Sequence, residues 1–226
     1  MSAILALFAT IAIIYWVEWR AGGSPGTLLI AALAAGLIPW TKREGLALLA
    51  VICLTIIVTK RGTRRAWLGV GAFVLAAALL SGPWWIFVAR NAIANPDFLP
   101  IHLTTFGTNL SRLPTIVAMA LSNLSSIDWS FVWPLAMVFG LIDLVRRRRA
   151  RSPVWHTDDV LPVTALVYLG LMSLSYVFSA FVPYQQHVAS SFFRLAAHVV
   201  PLPVLWIACR SIEESSSYQS EVATPR

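Results

Sequence analysis

Charge is scarce in this chain. Only 12% of its 226 residues are Asp, Glu, Lys or Arg, against about 25% in an ordinary soluble domain, and that shortage excludes a water-exposed globule. Cysteine is rarer still: Cys53 and Cys209 stand far apart, giving neither a disulfide framework nor a CxxC metal motif. The 4 histidines have no paired cysteine or carboxylate at zinc-ligand spacing. Glycine (12) and proline (13) are near average, which excludes collagenous and low-complexity chains. No solenoid-length repeat is visible.

What the chain does have is hydrocarbon. It is 58% hydrophobic, with a mean hydropathy of +0.74. A transmembrane helix needs about 20 apolar residues, since each rises about 1.5 Å through a core roughly 30 Å thick. Seven stretches meet or approach that length, at 2–17, 26–41, 45–59, 66–89, 127–145, 160–182 and 187–209. The predicted fold class is therefore all-α, a polytopic integral membrane helical bundle of about seven transmembrane helices. Residues 1–210 form the membrane domain and 211–226 a polar cytoplasmic tail, expected to be disordered from Ser215 to Arg226. The second and third spans are short enough to require local thinning, snorkelling flanks or burial among neighbours.

The net charge of +7 reads as membrane orientation rather than nucleic-acid binding, because the cations cluster in two loops. Lys60, Arg61, Arg64 and Arg65 lie between spans three and four, and Arg146 to Arg149 with Arg151 between spans five and six. Both loops are expected on the cytoplasmic side. Seven spans then leave Lys42, Arg43, Arg90, Arg112 and Arg194 outside. Tryptophans near span ends fit interfacial anchoring, with core packing open for several. This topology puts Met1 outside without a signal peptide's basic n-region, so at least one upstream span is expected to precede this segment.

The outward polar residues are the functional candidates. A long outer loop, about 90–126, carries Asp97, His102 and Arg112, turn chemistry at Asn95-Pro96-Asp97, and a short amphipathic helix near 114–121. In span seven, His187, Ser191, Arg194 and His198 fall within about 60° of one helix face, descending about 16 Å toward the midplane. A guanidinium fork suits phosphate, and imidazole adds a hydrogen bond or a proton path. The alternative is that Arg194 snorkels and His198 bonds a neighbouring helix. In the turn Trp40-Thr41-Lys42-Arg43-Glu44-Gly45, two cations suit a diphosphate and Glu44 could orient one of them; a plain charged hairpin is the competing reading. Trp84 and Trp85, after the kink at Gly82-Pro83, offer a sugar-stacking platform or a lipid-interface belt. Asp158 and Asp159 suggest a metal, but adjacent carboxylates just before a span read better as a helix cap. No cofactor is expected, and a divalent metal stays open. Asn109-Leu110-Ser111 and Asn123-Leu124-Ser125 are glycosylation sequons of the kind chance supplies.

Three features together resemble a family: Trp40-Thr41-Lys42-Arg43-Glu44-Gly45 after a short Ala/Leu-rich span, Gly82-Pro83-Trp84-Trp85 followed by Arg90, and the run from His187 to Pro201 with Ser191 and Arg194. The pattern is similar to the polytopic bacterial GT-C glycosyltransferases, the polyprenyl-phosphate-sugar enzymes related to protein O-mannosyltransferases and aminoarabinose transferases. The resemblance covers nearly the whole chain, as the later half of a longer protein. It implies transfer of a sugar from a polyprenyl-phosphate donor on the extracytoplasmic face of a bacterial inner membrane. Lys42, Arg90 and Arg194 would then be donor-phosphate ligands. The family's catalytic carboxylate sits in the first outer loop, and no residue here matches it, so the catalytic residue stays unassigned. An upstream half or a partner membrane subunit is expected to supply it. The implied partners are the bilayer and the lipid-linked sugar, without nucleic acid. A transporter or permease fragment, or a non-catalytic membrane subunit, are the rival readings.

Overall fold

The computed structural model describes residues 2–59, 64–91, 93, 96–129, 131–149 and 156–222, with only the backbone of 2, 65, 157 and 213–222. Helix dominates them, and no strand forms among them. Ten α-helices run in order: α1 Ser2–Arg20, α2 Pro25–Thr41, α3 Glu44–Thr59, α4 Arg64–Arg90, α5 Leu103–Asn109, α6 Leu113–Leu124, α7 Val132–Arg149, α8 Val160–Ser175, α9 Tyr184–Ala197 and α10 Pro201–Val222.

Among the described residues, four stretches are long and apolar enough to cross a membrane: Ala3–Arg20, Ala66–Arg90, Val160–Phe178 and Tyr184–Ile212. Helices α2 and α3 are apolar but shorter. Helix α7 stands where a fifth span was expected, but it ends in Arg146 to Arg149, and four cations in one turn lower its hydropathy. The apolar run expected as a single seventh span is two helices, α9 and α10. Pro201 and Pro203 account for the break: neither can donate to the preceding turn, so the chain turns at 198–200 and restarts with Pro201 as the first residue of α10. The backbone of α10 continues through Val222, correcting the expectation of disorder from Ser215 as far as that residue. Once a helix is nucleated, each further residue adds a hydrogen bond at small cost. Residues 223–226 lie outside the described set.

Helix α2 packs against α1, α3 and α4. Its sequence explains the role: Ala31, Ala32, Ala34, Ala35 and Gly36 are all buried, and small side chains let backbones approach closely. A Cβ at Gly36 would lie 2.8 Å from Leu80 Cβ on α4. Helix α8 joins this group to the rest, touching α3 on one side and α10 on the other. One continuous core includes Trp16, Phe73, Tyr168, Tyr176 and Phe192. The outer face is apolar too, with Val58, Leu68, Leu75, Leu79, Met137 and Leu141 all more than half exposed. Water would not tolerate so continuous an apolar surface, whereas bilayer hydrocarbon would cover it.

The described residues of the loop at about 90–126 include two helices, α5 and α6. Helix α6 spans the expected amphipathic segment and buries Ile116 and Ala120, packing on α8 and α9. The strap before it is pinned to the end of the α8 region: Leu99 N–H donates to Phe178 O at 2.7 Å, and Ala180 N–H to Asp97 O at 2.9 Å. Among the tryptophans, Trp16, Trp19, Trp129, Trp133 and Trp206 are buried in the core, whereas Trp40 and Trp67 are exposed.

Candidate functional site

The α2–α3 turn sits at one end of the bundle. Pro39 stands inside the last stretch of α2, and the chain leaves the helix with Lys42 extended. It re-enters at Glu44, whose carboxylate lies in the first turn of α3, where helix N-termini favour negative charge. Gly45 is required there because a side chain would collide with the Ile38 carbonyl. The turn is thus held tightly against α2. Arg43 Nη2 donates to Ile93 O at 3.1 Å, tying the turn to the chain after α4.

Helix α9 supplies the facing wall. Arg194 Nη2 lies 3.3 Å from Glu44 Oε1, with both side chains partly exposed. One turn back, Ser191 Oγ donates to His187 O at 2.6 Å. The Tyr176 hydroxyl must therefore be the donor in its 2.7 Å bond to Ser191 Oγ. His187 Nδ1 lies 2.9 Å from Ser179 Oγ, and its ring stacks on Phe181 at 4.5 Å. Arg112 holds the same segment from the other side, donating to Ser179 O at 3.1 Å and lying 5.0 Å above the Tyr184 ring.

These groups enclose a cavity of about 280 Å³ whose lining includes Arg43, Glu44, Asp97, Tyr176, His187, Ser191 and Arg194. Lys42 stands beside it. Burial, and then the Arg194 guanidinium, hold its ammonium below the ordinary lysine pKa, with Glu44 partly opposing them. The cavity thus combines two guanidinium groups, two carboxylates, an imidazole and the three hydroxyls of Ser175, Tyr176 and Ser191. It can bind an oxyanion and receive a proton.

Of the predicted residues, the structure brings Arg43, Glu44, His187, Ser191 and Arg194 into one cavity, with Lys42 at its edge. It leaves out Arg90, which is exposed at the end of α4. Trp84 is also elsewhere, with its ring 5.7 Å from Trp40 and 5.8 Å from Phe87; Trp85 does not line the cavity. His198 departs from the expected stripe because α9 ends at Ala197. It is fully buried and bonds the Tyr168 hydroxyl through Nδ1 at 3.0 Å, so the neighbouring-helix alternative holds for it. Arg194 faces Glu44 across the cavity mouth, with its side chain about half exposed. Sequence reasoning missed Tyr176, Phe98 and Ser179. A tyrosine in an apolar run carries no signal of its own, and Asp97 was recognised only as an outward charge.

At the other end of the bundle, Asp159 accepts from His156 N–H at 2.7 Å, which closes the short turn at 157–159, but its side chain makes no cap bond to α8, the helix it was expected to cap. It also does more. Arg147 reaches Asp159 at 2.6 and 2.9 Å and pairs with Asp143, while Arg210 reaches Asp158 at 2.9 Å and Asp159 at 3.2 Å. Burial opposes the charge on Asp159, but the Arg147 and His156 bonds outweigh it and hold the carboxyl below its usual range. The network joins α7, α8 and α10. Among the described residues, no three His, Cys, Asp or Glu side chains group as a metal site.

Comparison with protein-family models, curated proteins and solved structures finds no match in any of the three.

Proposed function

We propose that this chain is the C-terminal membrane portion of a GT-C-like glycosyltransferase, moving a sugar from a polyprenyl-phosphate donor to an acceptor on the extracytoplasmic face. The observation that carries this reading is the cavity itself: Arg43, Arg194, Glu44 and Asp97 meet in about 280 Å³ at one end of an apolar bundle. A lipid-linked substrate needs that combination, with cations for its phosphate at the edge of a hydrocarbon-facing surface.

In this reading the acceptor's oxygen or nitrogen forms a bond to the sugar's anomeric carbon as the carbon–phosphate oxygen bond breaks. The phosphate leaves with the electron pair, and Arg43 and Arg194 stabilise its charge. Glu44 is held by Arg194, and the carboxylate that takes the acceptor's proton belongs to the upstream half or partner subunit. A donor bound this way replaces part of the Glu44 contact with Arg194. The bundle crosses a bacterial inner membrane about seven times, with α2, α3 and α7 as short or basic-ended crossings. The cavity faces outward, and the arginine-rich end of α7 and the C-terminus lie in the cytoplasm. An upstream half or partner subunit completes the enzyme.

A second reading, a transporter or permease fragment, is favoured by one observation: the α9–α10 break at 198–200 beside the fully buried His198, since broken helices surround midplane sites in secondary transporters. The test of the first reading is titration of the purified protein with a short-chain polyprenyl-phosphate hexose. Arg194→Ala should weaken binding by about tenfold or more. Unchanged binding removes the phosphate role, and solute uptake into liposomes would favour the second reading.

A further inference from the structure

A second site lies toward the other end of the bundle and does not depend on the glycosyltransferase reading. An apolar groove of about 290 Å³ runs between α7, α8 and α10, lined by residues that include Trp133, Gly140, Leu166, Pro203 and Trp206. Gly140 faces the Trp206 ring across it, where a Cβ would stand 3.4 Å away, in ordinary contact. Gly140 and Trp206 also border a smaller hollow of about 180 Å³ that reaches Arg147 and Asp159. The apolar groove therefore leads to the charged end of α7. From Trp133 to Arg147 the helix rises about 20 Å, slightly more than the roughly 15 Å of hydrocarbon in one leaflet.

Two observations point to the occupant. Trp133 and Trp206 are each 4% exposed, and their indole N–H groups have no hydrogen-bond partner among the described residues. At the charged end, Asp143, Asp158 and Asp159 are met by Arg147 and Arg210. Arg148 and Arg149 instead face outward from the last turn of α7. Toward the charged end the groove thus runs from Trp133 along an apolar trench to the Trp206 donor, and then to the cations. An amphiphile presents the matching sequence of acyl chain, ester carbonyls and anionic head.

We propose that this groove binds an anionic phospholipid, with one acyl chain along Trp133, Leu166 and Trp206 and its headgroup on Arg148 and Arg149. The lipid fills the space between α7 and its neighbours and joins a helix that otherwise packs mainly on α10.

Native mass spectrometry of the detergent-purified full chain tests this, with phosphatidylglycerol and phosphatidylcholine of identical acyl chains as probes. The wild type should retain phosphatidylglycerol at about tenfold lower concentration than phosphatidylcholine. Arg148→Gln with Arg149→Gln should abolish that preference, and Leu166→Trp, which fills the groove from its exposed side, should weaken retention of both lipids. Helical circular dichroism and elution volume check that each variant folds, and both substitutions sit on exposed positions. Equal retention of the two lipids by the wild type overturns the proposal. So does a preference that survives loss of both arginines, or retention unaffected by Leu166→Trp.

Discussion

Glu44 and Arg194 stand 150 positions apart in sequence and 3.3 Å apart in space. Their meeting joins the α2–α3 turn to α9, and with it the two segments whose charges would otherwise stand in separate loops. Both side chains are partly exposed, at 32% and 48%, so the pair adds little to the bundle's stability. A double-mutant cycle with Glu44→Gln and Arg194→Ala should give a coupling in thermal or denaturant stability of at most about 1 kcal/mol. A coupling several times larger would make the pair a structural clamp.

Tyr176 and Ser191 make the opposite prediction. Their 2.7 Å bond is buried, and Tyr176→Phe would remove the donor while leaving Ser191 Oγ still engaged with His187 O. The expected cost is about 1 kcal/mol, the ordinary value for a buried hydrogen bond whose acceptor keeps another partner. Tyr176→Ala should cost about 3 kcal/mol or more, because it also opens a cavity beside Phe192 and His187. Equal losses for the two variants would mean that the ring contributes nothing beyond its hydroxyl.

The sequence carried the helical class and much of the cavity, and its failures have identifiable causes. Lys42, Arg43 and Glu44 were legible because three charges in a row between apolar runs have nowhere to go but a helix end. His187, Ser191 and Arg194 were legible through helical spacing. His198 was not, since spacing assumes one continuous helix and Pro201 ends it. Asp97 and Tyr176 come to the cavity through tertiary pairing of the 97–99 strap with 178–180, which leaves no local pattern. Arg147 looked like one member of a basic run. Its burial against Asp143 and Asp159 depends on the packing of α7 against residues of the α8 cap, and charge counting is blind to that.

That buried network gives a pH-dependent prediction. Asp159 has a folded pKa below its unfolded one, so its contribution is present above the unfolded value of about 4 and is lost as pH falls through the folded value. Acid unfolding should therefore sharpen below about pH 4 in the wild type and flatten in Asp159→Asn. Because that variant leaves Arg147 and Arg210 with an uncompensated share of buried charge, it should also cost about 3 kcal/mol at neutral pH. A loss under about 1 kcal/mol would mean that water already screens the site.

The proposed orientation can be read from a single exposed position. With Cys53 and Cys209 replaced by serine, a cysteine at Arg148 should resist a membrane-impermeant maleimide added to intact cells and react once they are permeabilised. Arg148 suits the probe better than Arg147, which is buried in the ion network. A cysteine at the exposed His102 should behave in the reverse way. Labelling of Arg148→Cys in intact cells would invert the topology and move the cavity to the cytoplasmic side.

Lys42 offers the most direct test of an oxyanion in the cavity, because the chain has only one other lysine, Lys60. Burial and the nearby Arg194 disfavour its ammonium, so a larger fraction is neutral amine at a given pH than for a solvated lysine. Between its folded pKa and the unfolded value of about 10.4, the unfolded chain holds more protons, so this group makes stability rise with pH in that window. The neutral amine is also the nucleophile, and acetylation by a water-soluble reagent, followed by peptide mass spectrometry, should reach half-rate at lower pH for Lys42 than for a free lysine peptide. An anionic ligand reverses the balance: phosphate charge beside Lys42 restores the ammonium and should slow acetylation, whereas a neutral polyprenol should not. Arg194→Ala removes one cation and should move the half-rate pH upward, toward ordinary lysine. If the polyprenyl phosphate leaves acetylation of Lys42 unchanged while Arg194→Ala shifts it, the electrostatics hold and the phosphate binds elsewhere.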